Sequence, residues 1–135
     1  MIEVKVKHLG KVKFEVAAGR NTVISDQPPT NGGDDEGMTP PELFLAAIGS
    51  CAGFYAAAYL KKKGIEREGV EVSVTAEKAP APARLDRFKI TVSVPGPLSD
   101  ADRAGVDQAV HHCLIHNTLM HTPAVEIAVE TPVTA

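Results

Sequence analysis

Between Leu43 and Leu60 the chain carries no charged side chain, and this stretch limits the possible folds more than anything else in the sequence. A helix that is apolar on every side belongs inside a fold, against a partner chain, or in a bilayer. Its length formally reaches that of a membrane span. Its composition argues against insertion, because the many alanines, Gly49 and Ser50 contribute little transfer free energy and no second span accompanies them. The expected assignment is a central core helix outside any membrane.

Both ends of that helix are marked. Thr39 is placed to cap, Pro40 fits the first helical position, and Glu42 stands where a capping-box acid returns a bond to the cap backbone. The helix is expected to run to about Lys63, its Lys61 to Lys63 turn suiting the negative end of the dipole and Gly64 supplying the stop. Phe44, Ile48, Cys51 and Tyr55 fall on one side, with Leu45, Ala52 and Tyr59 elsewhere.

Upstream, Ile2, Val4 and Val6 alternate with charged residues, and Val12, Phe14 and Val16 repeat the pattern beyond a Gly10 turn, which predicts a hairpin. A third strand over Asn21–Ser25 follows Gly19-Arg20. Gln27 to Met38 reads as a long loop because its Pro, Gly and Asp residues sustain neither helix nor sheet, and loops of that length tend to be functional. Downstream, Val70–Glu77 and Phe88–Val94 predict a second hairpin, with Pro80 and Pro82 excluding a regular strand between them. Ser99 opens a second helix in which Val106, Ala109, Val110, Cys113 and Leu114 recur at helical spacing, placing Cys113 on its buried stripe. Val125, Ile127 and Val129 predict a last strand. Strands joined as hairpins, two long helices and antiparallel pairing make an α+β fold.

The 135 residues, 44% hydrophobic and 23% charged, fit one globular domain over 1–135. A chain this short buries only about two-thirds of its unfolded surface, so so apolar a helix points towards a homodimer. A net charge of -3 argues against a nucleic-acid surface. Two cysteines do not make a disulfide scaffold, and Met1 opens straight into the alternating stretch with no apolar leader, so a reducing, cytoplasmic setting is expected.

Cys51 and Cys113 each lie on an apolar helix face, and only the tertiary fold brings them together. Two small core hydrophobes would satisfy the same pattern. A reactive thiol needs a nearby cation or hydrogen-bond donors to favour the thiolate. Arg20, beside the long loop, is a candidate for that charge, although a solvated loop arginine reads the same way. Glu42 lies roughly half a turn round and roughly 13 Å along the helix from Cys51, beyond contact with it in the same chain. Any part it plays must therefore run through Arg20 or across a dimer interface. His112 and His116 stand at i and i+4 with Cys113 and His121 nearby, the ligand types of a zinc site, but the pattern is unspecific and no metal is expected. No Gly-rich phosphate loop, nucleophile elbow or CxxC pair is present.

GMTPPELFLAAIGSCAGFYAAAYLKKKGI and, later, AVHHCLIHNTL resemble the two signature blocks of the OsmC/Ohr family, the osmotically inducible and organic hydroperoxide resistance proteins. The likeness extends through AGRNTVISDQP, RFKITVSV and VEIAVE. The form PPELFLAAIGSC is similar to a third, OsmC-like branch, and CLIH differs from the CPVS-type block of many members. The resemblance implies an intertwined homodimer with antiparallel sheets wrapped around two central helices and active sites at the subunit interface. It also implies a peroxidatic Cys51, a resolving Cys113 that closes a disulfide with it, and an Arg20–Glu42 pair that organises the thiolate. The implied substrate is an organic hydroperoxide, met by Phe44, Ile48 and Tyr55, and the implied reductant is an external dithiol, including the lipoyl type. No cofactor is implied. A ligand-binding or redox-sensing dimer is the alternative reading.

Overall fold

A computed structural model describes residues 1–65 and 68–131. The chain is a mixed α+β fold with antiparallel sheets, as expected. Strands β1 (Lys5–Gly10), β2 (Lys13–Ala18) and β3 (Asn21–Ser25) form a meander in that order. The register sets Val6 opposite Val16 and Val16 opposite Val23, so three valines line up across one face. Gly19 and Arg20 make the tight turn between β2 and β3, and Gly19 adopts a φ of 60° there, a conformation that costs glycine nothing.

Helix α1 spans Pro40–Lys62, within a residue of the bounds read from the sequence. It is long and apolar enough to cross a membrane by length and composition. Within the protomer only Ile48, Ala52, Ala56 and Leu60 are buried on it, a stripe repeating every fourth residue. The remaining faces are less covered than the central position expected for it, and Phe54 is 67% exposed.

Strands β4 (Glu71–Pro80) and β5 (Ala83–Ser93) form the second antiparallel sheet. It reaches Pro80, contrary to the sequence expectation. Pro80 sits at the last pair of the ladder, opposite Ala83, and Pro82 lies in the turn, where neither proline's missing N–H interrupts a central strand. Phe88, Ile90 and Val92 are half-buried with Val72 and Val74 by simple alternation, and beyond a register shift between Thr75 and Glu77 the half-buried positions are Ala79 and Leu85. The sheet packs on α1 where Gly49 and Gly53 let Val74 and Val72 approach.

The second long helix of the sequence reading is two helices. Helix α2 covers Asp100–His111, capped by Ser99 accepting from the Asp102 N–H at 3.1 Å, and α3 covers Leu114–Met120. The break falls where His112 and Cys113 each donate to a carbonyl three residues back, at 3.1 Å. Cys113 then turns to φ -58°, ψ 130° and becomes the residue that precedes α3. Ala56, Leu60 and Val106 form the core where α1 meets α2, with Tyr59, Val92, Leu98 and Val110 packed around them. The last strand expected from the sequence does not form. Val125, Ile127 and Val129 have no ladder among the described residues and are 77–89% exposed.

Candidate functional site

Cys51 lies midway along α1, one residue before the buried Ala52, and is half-buried; Cys113 is 1% exposed at the α2–α3 break. Both are free thiols. At this break the Cys113 thiol comes within hydrogen-bonding reach of the Cys51 thiol. Burial pushes the Cys113 thiol up from its ordinary value, and pairing with the Cys51 sulfur pushes it the same way. The backbone N–H groups of His116 and Ile115 act against both, although no side-chain cap bond closes at this helix start. The pair therefore consists of a buried thiol whose protonated form is favoured beside a more accessible one.

Arg20 is exposed at the β2–β3 turn. Among the described residues of this chain no ion pair or side-chain hydrogen bond engages it. Glu42 is likewise remote from Cys51, and its carboxylate is occupied at the helix start. It accepts from the Thr39 hydroxyl at 2.6 Å and from the Thr39 N–H at 3.2 Å. These bonds, the hydroxyl foremost, hold the Glu42 carboxyl below its ordinary range against a smaller opposing effect of burial. The capping-box role read from the sequence is thus the contact Glu42 makes, and within the protomer it touches neither Arg20 nor Cys51.

A cavity of about 1080 Å³ opens between β5, α2 and α3, with Ile48 of α1 at its floor. Phe88, Ile90, Val92, Val106 and Val110 make it apolar, while Arg103, His111 and His116 stand at its polar side. Of the three aromatic or aliphatic residues expected to meet a substrate, Ile48 lines this space. Phe44 instead packs edge-on against Phe88 at 5.9 Å, and Tyr55 packs against Phe54 at 5.4 Å.

The histidines do not converge. His111 bonds the Asp107 carbonyl at 2.7 Å and meets the His116 ring at 5.5 Å, whereas His112 ends α2 and His121 bonds the Asn117 carbonyl. Among the described residues no three His, Cys, Asp or Glu side chains are placed to hold a metal ion.

One buried charge escaped the sequence reading. Asp26 is 1% exposed, and its carboxylate accepts from three backbone N–H groups, those of Gln27 at 2.8 Å, Asp34 at 3.2 Å and Glu36 at 3.0 Å. An aspartate opening a Pro- and Gly-rich loop was the available signal, but solvated loop aspartates look the same in sequence.

The model of the family described as OsmC-like protein matches residues 33–128. Comparison with curated proteins gave no match. Among solved structures, the chain is similar to a Psychrobacter arcticus 273-4 protein, provisionally described as an osmotic stress induced and detoxification response protein. That similarity has a TM-score of 0.79 at 22% identity over 87% of this chain and 88% of the other. An OsmC-like protein of Mycoplasma pneumoniae matches with a TM-score of 0.77 at 16% identity, over 90% and 89% of the two chains. The organic hydroperoxide resistance protein OhrB of Bacillus subtilis matches with 0.60 at 18% identity, over 90% and 92%.

Proposed function

Since this chain belongs to the OsmC-like protein family, we propose that it is a thiol peroxidase that reduces organic hydroperoxides through Cys51 and Cys113. The pairing of these two side chains, far apart in sequence, one on α1 and the other at the α2–α3 break, is the observation that carries the reading. A two-cysteine cycle needs its thiols within reach of each other, and this proximity supports that reading.

In the proposed cycle the Cys51 thiolate attacks the distal oxygen of ROOH. The O–O bond breaks, the sulfur becomes a sulfenic acid by giving up two electrons, and the departing alkoxide takes a proton to leave as ROH. Cys113 then attacks the sulfenic sulfur. An S–S bond forms, and hydroxide leaves with the thiol proton as water. An external dithiol, the lipoyl type included, returns two electrons and two protons through a mixed disulfide. The buried Cys113 stays protonated until that second step, which directs peroxide to the more accessible Cys51.

The working unit we propose is a homodimer of single-domain chains in a reducing, cytoplasmic setting. Val6 and Val23, which flank the half-buried Val16, and Phe54 support it as exposed apolar surface. Arg20, which has no ion pair or side-chain hydrogen bond among the described residues of its own chain, then reaches Cys51 of a second copy, with Glu42 of that copy orienting the guanidinium. The fold shared with the Bacillus subtilis organic hydroperoxide resistance protein is consistent with this chemistry.

A second reading is a binder of small hydrophobic ligands, favoured by the apolar cavity over Ile48, whose size suits a small molecule. Loss of cumene hydroperoxide, followed with a dithiol present in the parent and in Cys51→Ser, separates the two. Peroxide consumption that disappears with Cys51 is the expected result. Equal background rates in both proteins would leave the binder.

A further inference from the structure

The buried Asp26 cradle joins the first sheet and the long loop into one stiff piece. Besides its three N–H bonds, the Asp26 N–H donates to the Met38 carbonyl at 3.3 Å, and the Asp35 N–H to the Gln27 carbonyl at 3.0 Å. Lys13 of β2 reaches Glu36 at 2.7 Å and Asp34 at 3.7 Å, and Lys11 reaches Asp34 at 2.8 Å, so both lysines pin the loop to the strands. Gly33 fits against the cradle so closely that a Cβ there would overlap the Gln27 carbonyl and stand 2.7 Å from Asp26 Oδ1. The Asp26 carboxyl is held below its ordinary range chiefly by the Glu36 N–H, with the Gln27 and Asp34 N–H groups and Lys13 adding to it and burial opposing. The cradle is thus built around the charged form.

This piece ends at Met38, and α1 begins at Pro40. Neither the helices nor the β4–β5 sheet packs extensively on β1–β3. The direction in which the first sheet leaves α1 therefore depends on the cradle and on the Thr39 turn that follows it. Arg20 stands at the opposite end of β3 from Asp26, roughly 20 Å away for extended chain. Over that lever a tilt of about 10° moves the guanidinium by roughly 3.5 Å, more than the length of a hydrogen bond.

We propose that Asp26 is a positioning residue, whose N–H cradle makes the first sheet a rigid arm that presents Arg20 to the reactive cysteine. The inference rests on the proposed role of Arg20, and its test does not require peroxide turnover. The readout is the rate at which iodoacetamide alkylates Cys51 in the full-length protein, compared among the parent, Asp26→Asn, Arg20→Ala and the double variant. Asp26→Asn keeps the side-chain shape and removes the charge that gathers the N–H groups. Misplacement of an orienting group by an ångström or more costs up to about a hundredfold in rate, so Asp26→Asn and Arg20→Ala should each slow alkylation about tenfold. The double variant should be little slower than either.

A merely structural Asp26 would lower the thermal midpoint and leave the rate dependent on Arg20, so that the two losses multiply. Multiplying losses, an Asp26→Asn rate equal to the parent's, or an Arg20→Ala rate equal to the parent's would each overturn the proposal. Lys13→Gln, which removes the Lys13 pairs to Glu36 and Asp34 while leaving the N–H cradle and the Lys11–Asp34 pair in place, guards against misfolding of Asp26→Asn. Its smaller loss should vanish in the Arg20→Ala background, and persistence there would count against the arm. If the coupling holds while no peroxide is consumed, the arm stands and the peroxidase reading alone falls.

Discussion

Cys113 keeps its thiol against Cys51 by standing outside regular helix, at the break between α2 and α3. A residue inside a continuous helix would be fixed by the helical rotation, whereas the extended backbone at Cys113 aims its side chain independently. The resulting site is closed on the side of Cys113, which is 1% exposed, and partly accessible on the Cys51 side.

This arrangement fixes a pH dependence of stability. Cys113 ionises above its ordinary value of 9.0 in the folded protein, first because it is buried and second because of Cys51. The folded state then holds a proton that the unfolded chain has already released. The contribution to stability is complete below about pH 9 and is lost as pH rises through the folded value. Thermal midpoints taken from about pH 8 to about pH 11 should fall more steeply in the reduced parent than in Cys113→Ala. Parallel curves would mean that Cys113 is not the buried, protonated member of the pair.

Much of this architecture was legible because local rules and tertiary structure agree. The Thr39–Glu42 cap, the Lys61-to-Gly64 end of α1 and the three N-terminal strands follow from turn chemistry and period. The break at His112 was not legible, since Val110, Cys113 and Leu114 keep helical spacing across it and nothing local forbids a continuous helix. The strand expected at Val125–Val129 failed for a different reason: alternation marks a segment able to pair, and this segment joins neither of the two open sheets in the described residues. Of the candidate residues, the fold brings Cys51 and Cys113 together and leaves Arg20 and Glu42 apart, a separation that a single sequence cannot encode if a second copy supplies the contact.

Glu42 should reveal two separable roles. Glu42→Ala removes the acceptor for both Thr39 groups and should lower the thermal midpoint by a few degrees, whereas Glu42→Gln retains a capping acceptor and should lower it less. Because the carboxyl ionises below its ordinary 4.5 in the fold, its contribution is present above that pH and disappears as pH falls through the folded value. The acid limb of stability should accordingly be shallower in Glu42→Gln. If Glu42 also orients Arg20, Glu42→Gln slows Cys51 alkylation although the cap survives; an unchanged rate would confine Glu42 to capping.

Gly105 is required by Tyr59. The Tyr59 hydroxyl donates to Asp102 Oδ1 at 3.1 Å across the α1–α2 contact, and a Cβ at Gly105 would overlap the ring and its oxygen. Alanine at a helical glycine ordinarily stabilises by about 1 kcal/mol. Overpacking a tight contact costs about 1–3 kcal/mol, so the clash prevails and Gly105→Ala should destabilise the protein, by denaturant unfolding, on the order of 1 kcal/mol. In a Tyr59→Ala background the same substitution should become neutral or stabilising. A loss of equal size in both backgrounds would place the cost somewhere other than the tyrosine.

The first sheet supplies the sharpest test of assembly. Val6 and Val23, 59% and 46% exposed, flank Val16 on one face, and a lone protomer has no reason to keep such a row dry. In the protomer, charging these exposed positions should change stability by less than about 0.5 kcal/mol. In a dimer that buries the row, two lysines on each copy would enter an apolar contact without partners, at a cost large enough to dissociate it. Light scattering on the eluting protein should therefore give about twice the 14.3 kDa chain mass for the parent and a single chain mass for Val6→Lys/Val23→Lys, with circular dichroism unchanged. A parent that elutes as a monomer at every concentration would remove the second copy from the site, and with it the route by which Arg20 meets Cys51.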